Sequence, residues 1–195
     1  LPGGDFVAFF AVQIAPRVTG VVARTSASAT SLDSQFPPGS GFVLPTPPTS
    51  VEATFTEVVN IPVGSFRLTG VGPDLVFGSA DDIQVAGTVT FNPVTLVATF
   101  VPTNPGALPN DTFYRVVLDG TGANAITDLA NIPLDGENNE PVSSVSGDGN
   151  AGGDWVGFFR TGSIVPSSDR TIFVDVTNTG LQENGSAQFP FNTIQ

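Results

Sequence analysis

Gly152-Gly153-Asp154-Trp155-Val156-Gly157-Phe158-Phe159 reads as a tight turn, an acid and a short apolar strand. Gly3-Gly4-Asp5-Phe6-Val7-Ala8-Phe9-Phe10 repeats the same order at the other end of the chain. The two copies lie about one ordinary domain apart. A strand that closes a domain thus stands at both ends of a domain-sized piece. This predicts one repeat unit, cut or polymerised so that residues 1–15 carry the last strand of a preceding unit.

Between the two copies the chain alternates apolar and polar residues in short runs bounded by Gly, Pro, Asn and Asp. Val51-Glu52-Ala53-Thr54-Phe55 is the cleanest of them. Strands are expected at 17–24, 51–57, 66–69, 83–91, 95–101, 112–118 and 155–160, with a short one at 41–44. Segments 25–50, 70–82 and 141–153 read as loops, and 128–140 as irregular and polar. No window repeats apolar residues at helical spacing. The expectation is an all-β, Ig-like antiparallel β-sandwich of about seven strands over 16–163. Extended, strand-like segments flank it at 1–15 and 164–195.

Composition narrows the chemistry. The chain has 195 residues, 40% of them apolar, which is enough for a core without covalent staples. It has no Cys and no His, so disulfides, thiolate metal sites, His-liganded zinc and Ser-His-Asp catalysis are excluded. All cations are arginines, six against 18 acids, for a net charge of −12. That balance repels nucleic-acid backbones and anionic membrane surfaces, and suits an extracellular setting and divalent cations. No Met is present, even at position 1, which reads as a processed product or an excised piece. No signal peptide and no apolar run of membrane-spanning length is visible.

Several segments resemble bacterial Ig-like domains of the SbsA type, in family order over about 16–163. Val51-Glu52-Ala53-Thr54-Phe55-Thr56-Glu57-Val58-Val59 is similar to the family's apolar-x-Thr-Phe-Ser/Thr-Glu-x-Val strand. Phe66-Arg67-Leu68 follows as the next strand, then Val89-Thr90-Phe91 and the run from Thr95 to Phe100-Val101-Pro102. Leu108-Pro109-Asn110-Asp111-Thr112-Phe113-Tyr114-Arg115-Val116 resembles the Leu-x-x-x-Thr-Tyr-x-Val strand. Thr127-Asp128-Leu129-Ala130-Asn131-Ile132-Pro133-Leu134 resembles the Asp-x-Ala-Gly-Asn-x-Leu segment, with Asn131 where the family usually has Gly. The resemblance implies a spacer or stalk domain of an exported surface protein, with no catalytic residues to carry over. The last residues, Asn184-Gly185 through Phe189-Pro190-Phe191-Asn192-Thr193-Ile194-Gln195, are similar to the entry of a right-handed parallel β-helix domain; a polar extension with one strand is the alternative.

Two acidic loops are candidate calcium sites, since calcium takes six to eight oxygen ligands and Gly permits the tight wrapping. One carries Asp74, Asp81 and Asp82. The other is Asp135-Gly136-Glu137-Asn138-Asn139-Glu140, continuing to Asp148-Gly149-Asn150 and Asp154, with Asp135, Asp148, Asn150 and Asp154 as the candidate ligands. The competing reading is solvated turns, which favour Asp, Asn and Gly for backbone reasons alone. Asp81 and Asp82 are adjacent and do not converge as an acid–base pair. Trp155 and Tyr114 read as a core residue and a loop tether, with a sugar platform as the alternative.

The resulting expectation is a non-enzymatic extracellular module of a bacterial surface protein or filament. Its partner is itself: head-to-tail neighbours or adjacent repeats. Phe6, Val7, Phe9, Phe10 and Val12 are the candidate residues for strand exchange with a neighbour. The competing class is a spacer or binding module of a carbohydrate-active or adhesin protein that continues into a β-helix.

Overall fold

The computed structural model describes residues 14–26, 29–32, 43–44, 46–105, 108–137 and 145–162. They all belong to one compact unit, Leu1–Gly162; a second unit, Ser163–Gln195, lies outside the described residues, as do Phe6, Val7, Phe9, Phe10 and Val12.

The unit is all-β. Twelve strands are formed among the described residues: β1 (Val18–Arg24), β2 (Ala29–Leu32), β3 (Val43–Leu44), β4 (Ser50–Phe55), β5 (Val59–Asn60), β6 (Phe66–Gly70), β7 (Ile83–Gln84), β8 (Gly87–Asn92), β9 (Val97–Pro102), β10 (Phe113–Leu118), β11 (Thr127–Asp128) and β12 (Trp155–Thr161). Those of five residues or more are β1, β4, β6, β8, β9, β10 and β12, the seven principal strands of a sandwich. One sheet has the order β2-β1-β4-β9-β8 and the other β3-β12-β10-β6-β7, while β5 and β11 form a small ribbon. Every strand pair is antiparallel except β3 with β12.

Alternation explains why these segments are strands. Along β4, Val51, Ala53 and Phe55 are buried while Ser50, Glu52 and Thr54 are not. Along β12, Trp155, Gly157, Phe159 and Thr161 face inward. A strand places successive side chains on opposite faces, so each sheet acquires one apolar face, and the two faces close on each other. Phe66 meets Phe100 across the core with ring centroids 5.6 Å apart, and Tyr114 stacks on Phe159 at 5.1 Å. Each fully buried side chain of this size contributes roughly 1.5–3 kcal/mol.

The run at 83–91 reads as one strand but forms two. Ile83–Gln84 pairs with β6 in one sheet, and Val85 N–H still donates to Leu68 C=O at 2.9 Å. The chain then crosses to the other sheet, where Gly87–Asn92 pairs with β9. Gly87 permits the crossing, because a Cβ there would press on the Phe100 ring and lie 2.7 Å from Val101 O. Segment 25–50, expected to be a long loop, contributes β2 as well as the short β3. Both are edge strands, too short to show alternation.

Tyr114 ties the β9–β10 connection to the core. Its hydroxyl donates to Pro109 C=O at 3.1 Å, five residues upstream, in the manner of a tyrosine corner. The side chain is fully buried, and burial pushes its phenol up to about 12. The folded state therefore favours the neutral phenol. The contribution is intact below the unfolded value of about 10 and lost as pH rises through about 12. Tyr114→Phe is expected to cost about 1 kcal/mol near neutrality. It is also expected to flatten the alkaline loss of stability, as urea unfolding near pH 8 and near pH 11 will read.

Candidate functional site: the acidic loop at the entry pole

Among the described residues, Pro16 and Gly162 lie at opposite poles of the sandwich, the entry and exit poles. Pro16 C=O accepts from Asp135 N–H at 2.9 Å, and Asp135 bridges Arg17 on one side and Gly152 on the other. β1 and β12 both start from this pole. β12 ends at the other, where Gly162 N–H donates to Leu44 C=O at 3.0 Å and Thr161 Oγ1 to Pro109 C=O at 2.6 Å. Seven residues of β12 make the separation roughly 23 Å.

Asp135 is the hub of the entry pole. It is almost wholly buried, and its carboxylate lies 2.9 Å from Arg17 Nη2. It also accepts from Asp148 N–H at 2.9 Å and Gly149 N–H at 3.1 Å. Ser146 Oγ donates to Asp135 C=O at 2.7 Å and accepts from Val18 N–H at 2.8 Å. The loop can wrap this closely because Gly147 and Gly149 adopt φ of +98° and +99°. At Gly147 a Cβ would collide with the Asp135 carboxylate.

Asp135, Glu137 and Asp148 each place a carboxylate oxygen within 4.8 Å of the others, the one such group of three acids among the described residues. Burial pushes the Glu137 carboxyl up, with the charges of Asp135 and Asp148 adding to it, and Glu137 Oε2 is buried without a hydrogen-bond partner. Hydrogen bonds from the Asn150 backbone and side chain, 2.9 and 3.1 Å, hold the Asp148 carboxyl below the usual range. This set of hard oxygen donors, with excess negative charge drawn together, could hold a metal ion.

The other expected ligands are placed elsewhere. Asn150 closes the turn on Asp148. Asp154 accepts from Gly120 N–H and Thr121 Oγ1, both at 2.9 Å, and so pins the start of β12 to the end of β10. Asp74 and Asp81 serve their own loop, and Asp82 also faces Arg115 of β10 at 4.0 Å. Asp74 accepts from Val76 N–H at 2.9 Å, Asp81 from the Ser79 hydroxyl, and Asp82 from Gly78 N–H at 2.7 Å. The Ser79 bond holds the Asp81 carboxyl below its ordinary value. These three acids form no triad of converging oxygens. Trp155 and Tyr114 are buried, so neither is available as a sugar platform.

Glu137 lies in the acidic loop that the sequence singles out but is not among the expected ligands, and Arg17 emerges only from the fold. A signal for Arg17 exists in the composition: with so few cations among 18 acids, each is expected beside a carboxylate. All five described arginines are found so, as Arg17–Asp135, Arg24–Glu52, Arg67–Asp119, Arg115–Asp82 and Arg160–Asp111.

No family model matches the chain, and no curated protein matches it. The crystal structure of PcoC, a methionine-rich copper resistance protein from Escherichia coli, is similar at a TM-score of 0.36 and 16% identity, over 67% of this chain and 89% of PcoC. A likeness of that size informs neither the site nor the function. No helix among the described residues is long and apolar enough to cross a membrane.

Proposed function

We propose that this protein is a non-enzymatic structural module of a bacterial surface protein or filament, working outside the cell and joined end to end with like units. The observation that carries this reading is the opposed placement of Pro16 and Gly162. A domain entered at one pole and left at the other extends an array by its full length. Tension across it also acts along β1 and β12 in opposite senses, so the ladder hydrogen bonds share the load in shear and do not open one at a time. The acidic surface, the lack of Cys and the resemblance to SbsA-type Ig-like domains support the same reading. Asp135, Glu137 and Asp148 are the residues that would hold calcium, which would brace the entry pole against the last loop.

Pulling single molecules between residues 16 and 162 tests the reading. The expected result is one-step unfolding that releases about 50 nm of chain, at a force that rises with millimolar calcium. Asp148→Asn is expected to remove the calcium increment and leave the rest. Stepwise peeling at low force would overturn the spacer role. A calorimetric titration without heat at millimolar calcium would remove only the metal.

A further inference from the structure

β8 is an edge strand with nothing beside it among the described residues. Thr103 N–H donates to Ala86 C=O, so residues 86, 88, 90 and 92 face β9, and Gly87, Val89 and Phe91 turn their backbone N–H and C=O groups outward. Edge strands are ordinarily guarded by charge, proline or a bulge, since unpaired edges recruit other chains. Gly87-Thr88-Val89-Thr90-Phe91-Asn92 has none of these and pairs with β9 without a register break. Beside it, in the gap left where the chain crosses between the sheets, runs a groove of about 620 Å³. Ile61, Val63, Phe66, Val85, Val89 and Phe100 line it, and Val63 is 99% exposed.

We infer that the free edge of β8 and this groove accept residues 3–12 of a second copy of the chain as an added strand. The inference rests on the end-to-end assembly proposed above and names its acceptor. The segment is ten residues, roughly 33 Å when extended, and covers the roughly 20 Å of β8. Phe6, Ala8, Phe10 and Val12 fall on one face, matching the inward positions Trp155, Gly157, Phe159 and Thr161 of β12. Asp5 is its one charge, in a chain of net charge −12, so segment and edge meet without the repulsion that the rest of the surface imposes.

Geometry favours a second copy over the chain's own segment. A strand added to β8 would lie four strand spacings from β1, roughly 19 Å, beyond the roughly 17 Å that Val12 to Arg17 can span. The chain's own segment would also have to run parallel to β8, whereas a second copy can add it antiparallel, the more stable pairing.

The chain has no cysteine, so introduced thiols report without background. Copies carrying Phe9→Cys are mixed with copies carrying Thr88→Cys or Thr90→Cys and oxidised. A cross-linked heterodimer is expected, at about ten times the yield of a Val94→Cys control at an exposed turn. Val89→Pro removes an outward N–H at an edge position where proline is tolerated. It is expected to keep the native circular dichroism and lose assembly. A cross-link formed only within the doubly substituted chain would overturn the second copy as donor. Large species by light scattering, with no cross-link and no effect of Val89→Pro, would overturn β8 as acceptor and leave end-to-end assembly standing. A chain that stays monomeric at all concentrations would overturn both.

Discussion

Asp135→Ala is expected to destabilise the protein by about 3–5 kcal/mol, a large share of the roughly 5–15 kcal/mol typical of a domain. The carboxylate lies almost fully buried and is shared by Arg17 and the amides of Asp148 and Gly149. Its removal leaves a guanidinium and two N–H groups without their acceptor, and leaving buried polar groups unpaired is what makes such truncations costly. Asp135→Asn keeps one acceptor oxygen and is expected to lose about half as much. Removing Arg17 and Asp135 together should cost less than the sum, since the second change no longer strands a charge. Urea unfolding reads all three as a fall in midpoint at constant slope. A loss below about 1 kcal/mol for Asp135→Ala would show that water takes over the carboxylate's bonds and that the hub is not structural.

Gly120→Ala is the second large effect, expected at about 3 kcal/mol or more. A Cβ there collides with Gly153 C=O and comes within 2.6 Å of Leu134 C=O. Both obstacles are backbone, so no side-chain rotation relieves them. Asp154 fixes Gly120 in this position through its amide, so the strand end cannot retreat without breaking that bond. Gly122 supplies the contrast. It has φ of +73°, and nothing lies within 4 Å of where a methyl would stand, so Gly122→Ala meets only backbone strain of about 1 kcal/mol. Thermal melts of the two variants should therefore separate clearly. Equal shifts would mean that the contact of Gly120 with Gly153 yields easily.

The fold is legible where alternation is long and unbroken. Val51 to Phe55, Val97 to Pro102, Phe113 to Leu118 and Trp155 to Thr161 each bury every second residue, and each reads as a strand from the sequence alone. The crossing at Val85-Ala86 is hidden because apolar residues there keep the alternation going while the backbone changes partners. β2 and β3 are too short to carry a pattern. At the site, composition points to the correct loops but not to the correct members. Asp148 and Asp135 come together because the glycines at 147 and 149 fold one loop onto the other. Asp154 departs because two donors on residues 120 and 121 capture it. At Asn131, where the sequence departs from Gly, a turn still forms: its φ of +65° suits Gly or Asn, and Asp128 Oδ1 closes the turn by accepting from Ala130 and Ile132 N–H.

The division of strands between the sheets has a consequence for the order of folding. The sheet β2-β1-β4-β9-β8 is complete once Pro102 is available. Its apolar face then waits for β10 and β12, and the first residue of β1 finds its partner, Ser146, 128 positions later. Closure of the core is therefore a late, non-local event, and such topologies fold in milliseconds to seconds, not microseconds. A nascent chain holds this sheet with its apolar face open while the roughly 60 residues from Pro102 to Thr161 are made. Refolding from denaturant is expected to be slow and concentration-sensitive for the same reason. A carrier that keeps the chain extended until β12 has appeared would spare it that exposure.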